Sequence, residues 1–137
     1  MRKAARIPVL LLCFAACTTR GATEQLRDRV WTLTSIDGFT AMPAGVATPT
    51  IRFDTDGRLS GNTGCNSAGA AFTTDGDRLT IQPMMVTKRA CLEPEGNRLE
   101  RAYVQAVGRA RRFRIAENQL ELLDDSGTVL ARFRAPE

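Results

Sequence analysis

Histidine is absent from this 137-residue chain, and that single absence removes several kinds of chemistry. Cys-His and Ser-His-Asp catalysis need an imidazole to move the proton, and His-containing zinc sites need it as a ligand. Lysine is almost missing as well: it occurs only as Lys3 and Lys88, and no Ser-x-x-Lys pair exists. Aromatic residues make up 6% of the chain, so a core must draw mainly on leucine, valine, isoleucine and alanine. None of the four cysteines belongs to a C-x-x-C pair, which excludes a thioredoxin-like redox centre. Asp54-x-Asp56-Gly57 begins like an EF-hand, but its glycine comes too early and no glutamate closes the loop, so it reads as a turn. Gly61-Asn62-Thr63-Gly64 lacks the Lys-Ser/Thr and following helix of a phosphate loop. No enzyme activity, cofactor or metal is expected.

What is present starts at the N-terminus. Arg2, Lys3 and Arg6 precede an apolar run from Ile7 to Ala16, the order of charge and hydrophobicity found in a secretory signal peptide. Ten residues of helix rise only ~15 Å, about half the ~30 Å of a bilayer core, so residues 1–16 read as a removable signal rather than a membrane span. Phe14-Ala15-Ala16-Cys17 resembles the lipobox of bacterial lipoproteins, with Phe14 where the pattern prefers leucine. That resemblance implies cleavage before Cys17 and acylation of its thiol. It also implies outer-membrane sorting, on the periplasmic face, since Thr18-Thr19 follow the cysteine in place of an aspartate. Cleavage without lipidation is the rival reading. Residues 17–28 then form the lipidated N-terminus and a polar tether.

Without Arg2, Lys3 and Arg6 the net charge falls from +4 to +1. Nucleic-acid binding needs a concentrated positive field, so no nucleic-acid partner is expected. About 110 residues remain, enough for one domain around one core, and a monomer is expected.

The remaining chain alternates strand signals with tight turns. Residues 30–36 are β-rich and stop at Asp37-Gly38; Thr50–Phe53 turns through Asp56-Gly57 into Arg58–Ser60. Residues 70–73 pass through Asp75-Gly76-Asp77 into 78–81, and a second meander covers 112–115, 119–122 and 129–133. Asp-Gly between alternating segments marks hairpins, because both residues tolerate the φ values such turns need. Residues 38–49, with Pro43, Gly45 and Pro49, form a long connection. One segment changes period: Leu99, Ala102, Tyr103, Ala106 and Val107 share a helical face within 97–107. Asn97 and Glu100 fit a capping box, and Gly108 a stop. The expected fold class is α+β: a mainly antiparallel, barrel-like curled sheet with one amphipathic helix packed against it.

Cys13 leaves with the signal and Cys17 is taken by lipid, so Cys65 and Cys91 remain. In an exported, oxidising compartment the simplest reading is a disulfide, with a free reactive thiol as rival. A bridge over about 26 residues stabilises by roughly 3 kcal/mol in the loop-entropy model. Gly61, Gly64 and Gly69 would let the loop around Cys65 turn sharply.

Trp31-x-Leu33, Phe53-x-x-Asp56-Gly57-x-Leu59-Ser60-Gly61, Gly64-Cys65-Asn66, Leu79-x-Ile81 and Thr87-Lys88-Arg89-Ala90-Cys91 follow one another in a familiar order. The helix, Leu120-x-Leu122 and Gly127-x-x-Leu130-x-x-Phe133 complete it. Residues 29–134 thus resemble the META domain, the HslJ-like family of bacterial envelope lipoproteins. The resemblance implies a small barrel-like sheet with one helix, similar to lipid-binding pilot proteins of type III secretion. It also implies an association with heat shock and envelope stress.

Asn62, Asn66, Thr87 and Arg89 are the candidate ligand or partner contacts; the alternative for the asparagines and threonine is hydrogen bonding within their own loop. Arg109, Arg111, Arg112, Arg114, Arg132 and Arg134 form the largest basic cluster, read either as a solvated strand face or as a surface for anionic lipid or acidic protein. Two functions are compatible with these features. One is a non-enzymatic, lipid-anchored envelope module that binds or stabilises a protein. The other is a carrier of a small hydrophobic ligand or acyl chain in a cleft between helix and sheet. A cavity of several hundred Å3 favours the carrier, and a filled core favours the module.

Overall fold

The computed structural model describes residues 21–137; the expected signal segment, Cys17 and the start of the tether lie outside the described residues. The described residues form nine strands, all but β6 on the alternating segments: β1 (Val30–Ile36), β2 (Thr50–Phe53), β3 (Arg58–Asn62), β4 (Ser67–Asp75), β5 (Arg78–Ile81), β6 (Met85–Val86), β7 (Arg112–Ala116), β8 (Gln119–Leu123) and β9 (Val129–Arg134). A short α1 (Ala22–Leu26) precedes them, and α2 (Pro94–Arg109) separates β6 from β7.

The sheet order is β3-β2-β1-β9-β8-β7-β5-β4, and β4 pairs back onto β3, so eight antiparallel strands close a ring. Closure removes the exposed edges that an open sheet would offer. The nine residues of β4 make this possible. One edge pairs with β3, while the other takes β5 along Phe72–Asp75 and β6 at Ala68–Gly69. The thinnest seam joins β5 to β7, where Arg78 faces Arg112, flanked by Phe113 N–H to Asp77 O and Leu79 N–H to Arg111 O, both 2.9 Å.

Inward positions follow the period of two, with bulges where it fails. Trp31, Leu33 and Ile36 are all buried, although Leu33 and Ile36 are three apart. A register shift between Leu33 and Ser35 against β9 absorbs the extra residue. A second shift pairs Leu122 with Ala131 but Leu123 with Val129, leaving Leu130 as the bulged residue of β9.

The helix is longer than its apolar period indicated. It starts at Pro94, with Glu93 in extended conformation before it, so Asn97 lies inside the helix and the capping-box assignment is corrected. Proline is pre-set for the first helical position and needs no N–H there. Gly108 does not stop the helix; Ala110 does, donating its N–H to Ala106 O and Val107 O from an extended conformation. Leu99, Tyr103, Ala106 and Val107 enter the core with Trp31, Phe53, Phe113 and Phe133, which fills the barrel. Tyr103 donates its hydroxyl to Thr50 O at 2.8 Å, and burial pushes the phenol's pKa up. Gly61 leaves the space for that contact: a Cβ there would stand 2.4 Å from Thr50 O and 2.5 Å from the Tyr103 hydroxyl. Gly61 and Gly69 therefore belong to strands, not to a turning loop; Gly64, with φ +106°, does turn.

The folded body also begins before the expected boundary at 29. Leu26 is fully buried and accepts Trp31 Nε1–H at 3.0 Å, and Asp28 N–H reaches Phe53 O at 2.9 Å. A single apolar residue among polar ones carries no period, so residues 21–28 resembled a tether.

The two ends of the barrel differ. At one lie α1 and the turns between β2 and β3, β4 and β5, and β7 and β8; Thr23 lies 3.5 Å from Gly76 O there. At the other, α2 crosses from the β3–β4 loop to the start of β7 and covers the opening. No helix among the described residues is long and apolar enough to cross a membrane.

Candidate functional site

Cys65 and Cys91 are disulfide-bonded, with Cα atoms 5.4 Å apart. The bond ties the β3–β4 loop to the segment entering α2. Around it the structure gathers Asn62, Asn66, Thr87 and the Arg89 backbone. Asn62 Oδ1 accepts the Gly64 N–H at 2.6 Å, within its own loop. Asn66 is 4% exposed, and its side chain uses all four of its hydrogen-bonding positions. Oδ1 accepts from Thr87 Oγ1 (2.9 Å) and Arg89 N (2.7 Å). Nδ2 donates to Arg89 O and to Glu100 Oε2, each at 2.8 Å. The buried Thr63 hydroxyl is 2.5 Å from the same Glu100 oxygen.

In this knot the side chains of Asn66 and Thr87 have intramolecular partners. Their polar atoms hold the 87–89 segment against the loop and the helix, so the bonding runs between segments and not within one loop as the alternative had it; only Asn62 follows that alternative. Arg89 contributes its backbone to the knot, while its residue surface is exposed and borders a hollow of about 170 Å3 beside the disulfide. Glu100 is the participant that sequence spacing misassigned. Its position three residues after Asn97 suggested a cap, but its carboxylate crosses to a loop 34 residues away.

The arginine cluster is largely answered by carboxylates. Arg112 Nε reaches Asp77 Oδ2 at 3.1 Å, Arg114 Nε reaches Glu121 Oε2 at 2.7 Å, and Arg132 Nε reaches Glu121 Oε1 at 3.0 Å. Burial disfavours ionisation of Glu121, but the two guanidiniums outweigh it and hold its pKa below the usual value. The Arg112 hydrogen bond likewise lowers Asp77. Asp124 is lowered by the Ser126 hydroxyl and Thr128 N–H of its turn. Cross-strand charge pairing on a solvated face accounts for these residues.

The larger concave feature lies elsewhere. A groove of about 570 Å3 runs between α2 and the ends of β1 and β9. Ala102 and Ala106 leave room on the helix side, Ile36 and Leu130 supply apolar surface, and Arg109 and Arg132 stand at its margins. It opens where β1 leaves the sheet. The last β1–β9 pair is Ile36 with Ala131, after which Asp37-Gly38 turns the chain back so that Ile36 and Phe39 exchange backbone hydrogen bonds at 3.0 and 2.8 Å. Sequence reading could mark the Asp-Gly turn and the small residues on the helix, but not that they face one another.

A META-domain model matches residues 24–137, and the chain belongs to that family. Among solved structures, an NMR structure of a protein from Burkholderia xenovorans is 24% identical, with 99% of each chain covered and a TM-score of 0.64. A second NMR structure is 22% identical over 81% of this chain and 92% of the other, also at TM-score 0.64. The crystal structure of a DUF4847-family protein from Bacteroides vulgatus is 16% identical over 83% of this chain and 96% of the other, at TM-score 0.58. These likenesses establish the barrel-and-helix fold. No curated protein matches.

Proposed function

We propose that this META domain is a non-enzymatic, lipid-anchored envelope module, held at the periplasmic face of the outer membrane through Cys17, that binds or stabilises a protein under envelope stress. The observation that carries the binding role is the contrast between a filled barrel and an open groove. Side chains from the helix and all eight ring strands occupy the interior, and the polar groups gathered near the disulfide are spent on one another. Partner contact therefore falls to the groove and to exposed groups such as Arg89. The absence of histidine supports a role without acid–base catalysis. The anchor is supported by the charged and apolar run before Ala15-Ala16-Cys17.

The carrier reading retains one supporting feature, since about 570 Å3 falls within the range of small-ligand sites. An open groove shields an acyl chain poorly, so the protein-binding reading is preferred. Labelling cells with a radioactive fatty acid tests the anchor. Wild type is expected to incorporate label and Cys17→Ser to lose it; equal labelling of the two would refute lipidation.

A further inference from the structure

We propose that the groove takes an extended peptide segment of a partner protein on the aqueous side of the anchor, paired with β9 at Val129–Leu130, and that the tether is too short to turn the groove end-on to the bilayer. The second half rests on the anchored-module reading above; the first half does not.

The strand pairing points to an extended chain. β8 covers one edge of β9 along its length, but β1 covers the other only as far as Ala131. Val129 and Leu130 thus line the groove beyond the last β1 pair. A neighbouring helix has its backbone groups bonded internally and cannot replace β1. An extended segment can, by adding main-chain hydrogen bonds to a strand edge. The partly exposed Ala102 and Leu130 at that edge offer apolar contacts, over a floor of buried Ile36 and Ala106, and Gln105 and Arg109 offer polar ones.

Chain length decides what can reach it. From Cys17 to Ala22 the chain has five residue steps, which extend at most ~18 Å. Ala22 starts α1 at the end of the barrel opposite α2. The nine-residue β4 spans ~26 Å along its axis, or ~20 Å of barrel height at the usual tilt, and α2 adds a layer of ~10 Å. Turning the groove onto the membrane would need ~30 Å of tether. The groove consequently faces the periplasm or lies to the side, and a chain of lipid in the anchoring leaflet cannot enter it end-on.

The test uses the full mature protein in liposomes. The native cysteines are acylated or bridged, so a single added cysteine can carry an environment-sensitive dye. Thr40→Cys marks the groove and Thr55→Cys the opposite end; both positions are exposed. With nitroxide-headgroup lipids, quenching is expected at Thr55→Cys and to be several-fold weaker at Thr40→Cys. Equal or stronger quenching at Thr40→Cys overturns the orientation. Loss of acyl mass and of liposome binding would instead count against the anchor. Acetyl-Thr-Val-Ser-Val-amide is then titrated into the Thr40→Cys protein, with acetyl-Thr-Pro-Ser-Pro-amide and octanoate as comparisons. The valine peptide is expected to shift the dye saturably near ~1 mM. The proline peptide, lacking the two N–H donors that the valines carry, should bind about fivefold more weakly or worse. No response to the valine peptide, an equal response to the proline peptide, or a stronger one to octanoate overturns peptide docking.

Discussion

Gly96, in the first turn of α2, lies against the Cys65–Cys91 bridge: a Cβ added there would stand 3.0 Å from both Cys65 Sγ and Cys91 Cβ. The helix start, the β3–β4 loop and the segment before the helix meet at this point. A helical glycine costs about 1 kcal/mol relative to alanine, and here it leaves room for the disulfide to pack on the helix.

Removing the bridge with Cys65→Ser and Cys91→Ser should lower stability by about 2–5 kcal/mol, the usual range for a small exported domain. Far-ultraviolet circular dichroism should change little, because the apolar faces of the strands and α2 do not depend on sulfur. Thiol titration of unreduced, unfolded protein checks the bond itself; two titratable thiols at these positions would contradict it. Gly96→Val should also destabilise, and the loss should shrink in the double-serine background, where the crowding sulfurs are gone.

The knot around Asn66 yields a second prediction. Asn66→Ala removes a partner at once from Thr87, from both backbone groups of Arg89 and from Glu100. Leaving buried groups unpaired costs about 1–3 kcal/mol, so urea unfolding should show a loss of that order. Glu100→Gln keeps an acceptor of the same shape and should cost well under half as much. If Asn66→Ala matches wild type, the knot does not hold the loop.

Much of the fold was legible because its signals are local. Asp37-Gly38, Asp56-Gly57 and Asp75-Gly76 mark three of the turns, and alternation around Phe53, Leu79 and Phe113 places strands between them. The bridge followed from reading Cys13 as part of a signal and Cys17 as a lipid site, which left Cys65 and Cys91 as a pair, and the helical face of Leu99, Tyr103 and Ala106 from its period. What stayed hidden is non-local. Leu26 inserts among polar neighbours, Met85–Val86 adds a strand of two residues, and Glu100 bonds a distant loop. The groove depends on the register at which β1 leaves β9, and register is set by bulges that composition does not announce.

The last prediction concerns pH. Asp77, Glu121 and Asp124 have lowered pKa values in the fold, while the unfolded chain returns them to about 4. Such groups contribute stability above their unfolded values and lose it as pH falls through the folded ones. With no histidine, both domain cysteines bridged and the Tyr103 phenol raised, little titrates between about pH 5 and pH 9. The urea midpoint should therefore be flat across that window and fall below about pH 4. Glu121 bridges Arg114 on β7 and Arg132 on β9, so Glu121→Gln should reduce the acid-induced fall while lowering stability slightly at neutral pH. Salt should weaken the Glu121 contribution more than that of Asp124, whose main partners are the neutral Ser126 hydroxyl and the N–H groups of Ser126 and Thr128, with the Arg109 guanidinium more distant at 3.9 Å. A midpoint that changes steeply between pH 6 and pH 8, or holds steady down to about pH 3, would show that other groups govern the response.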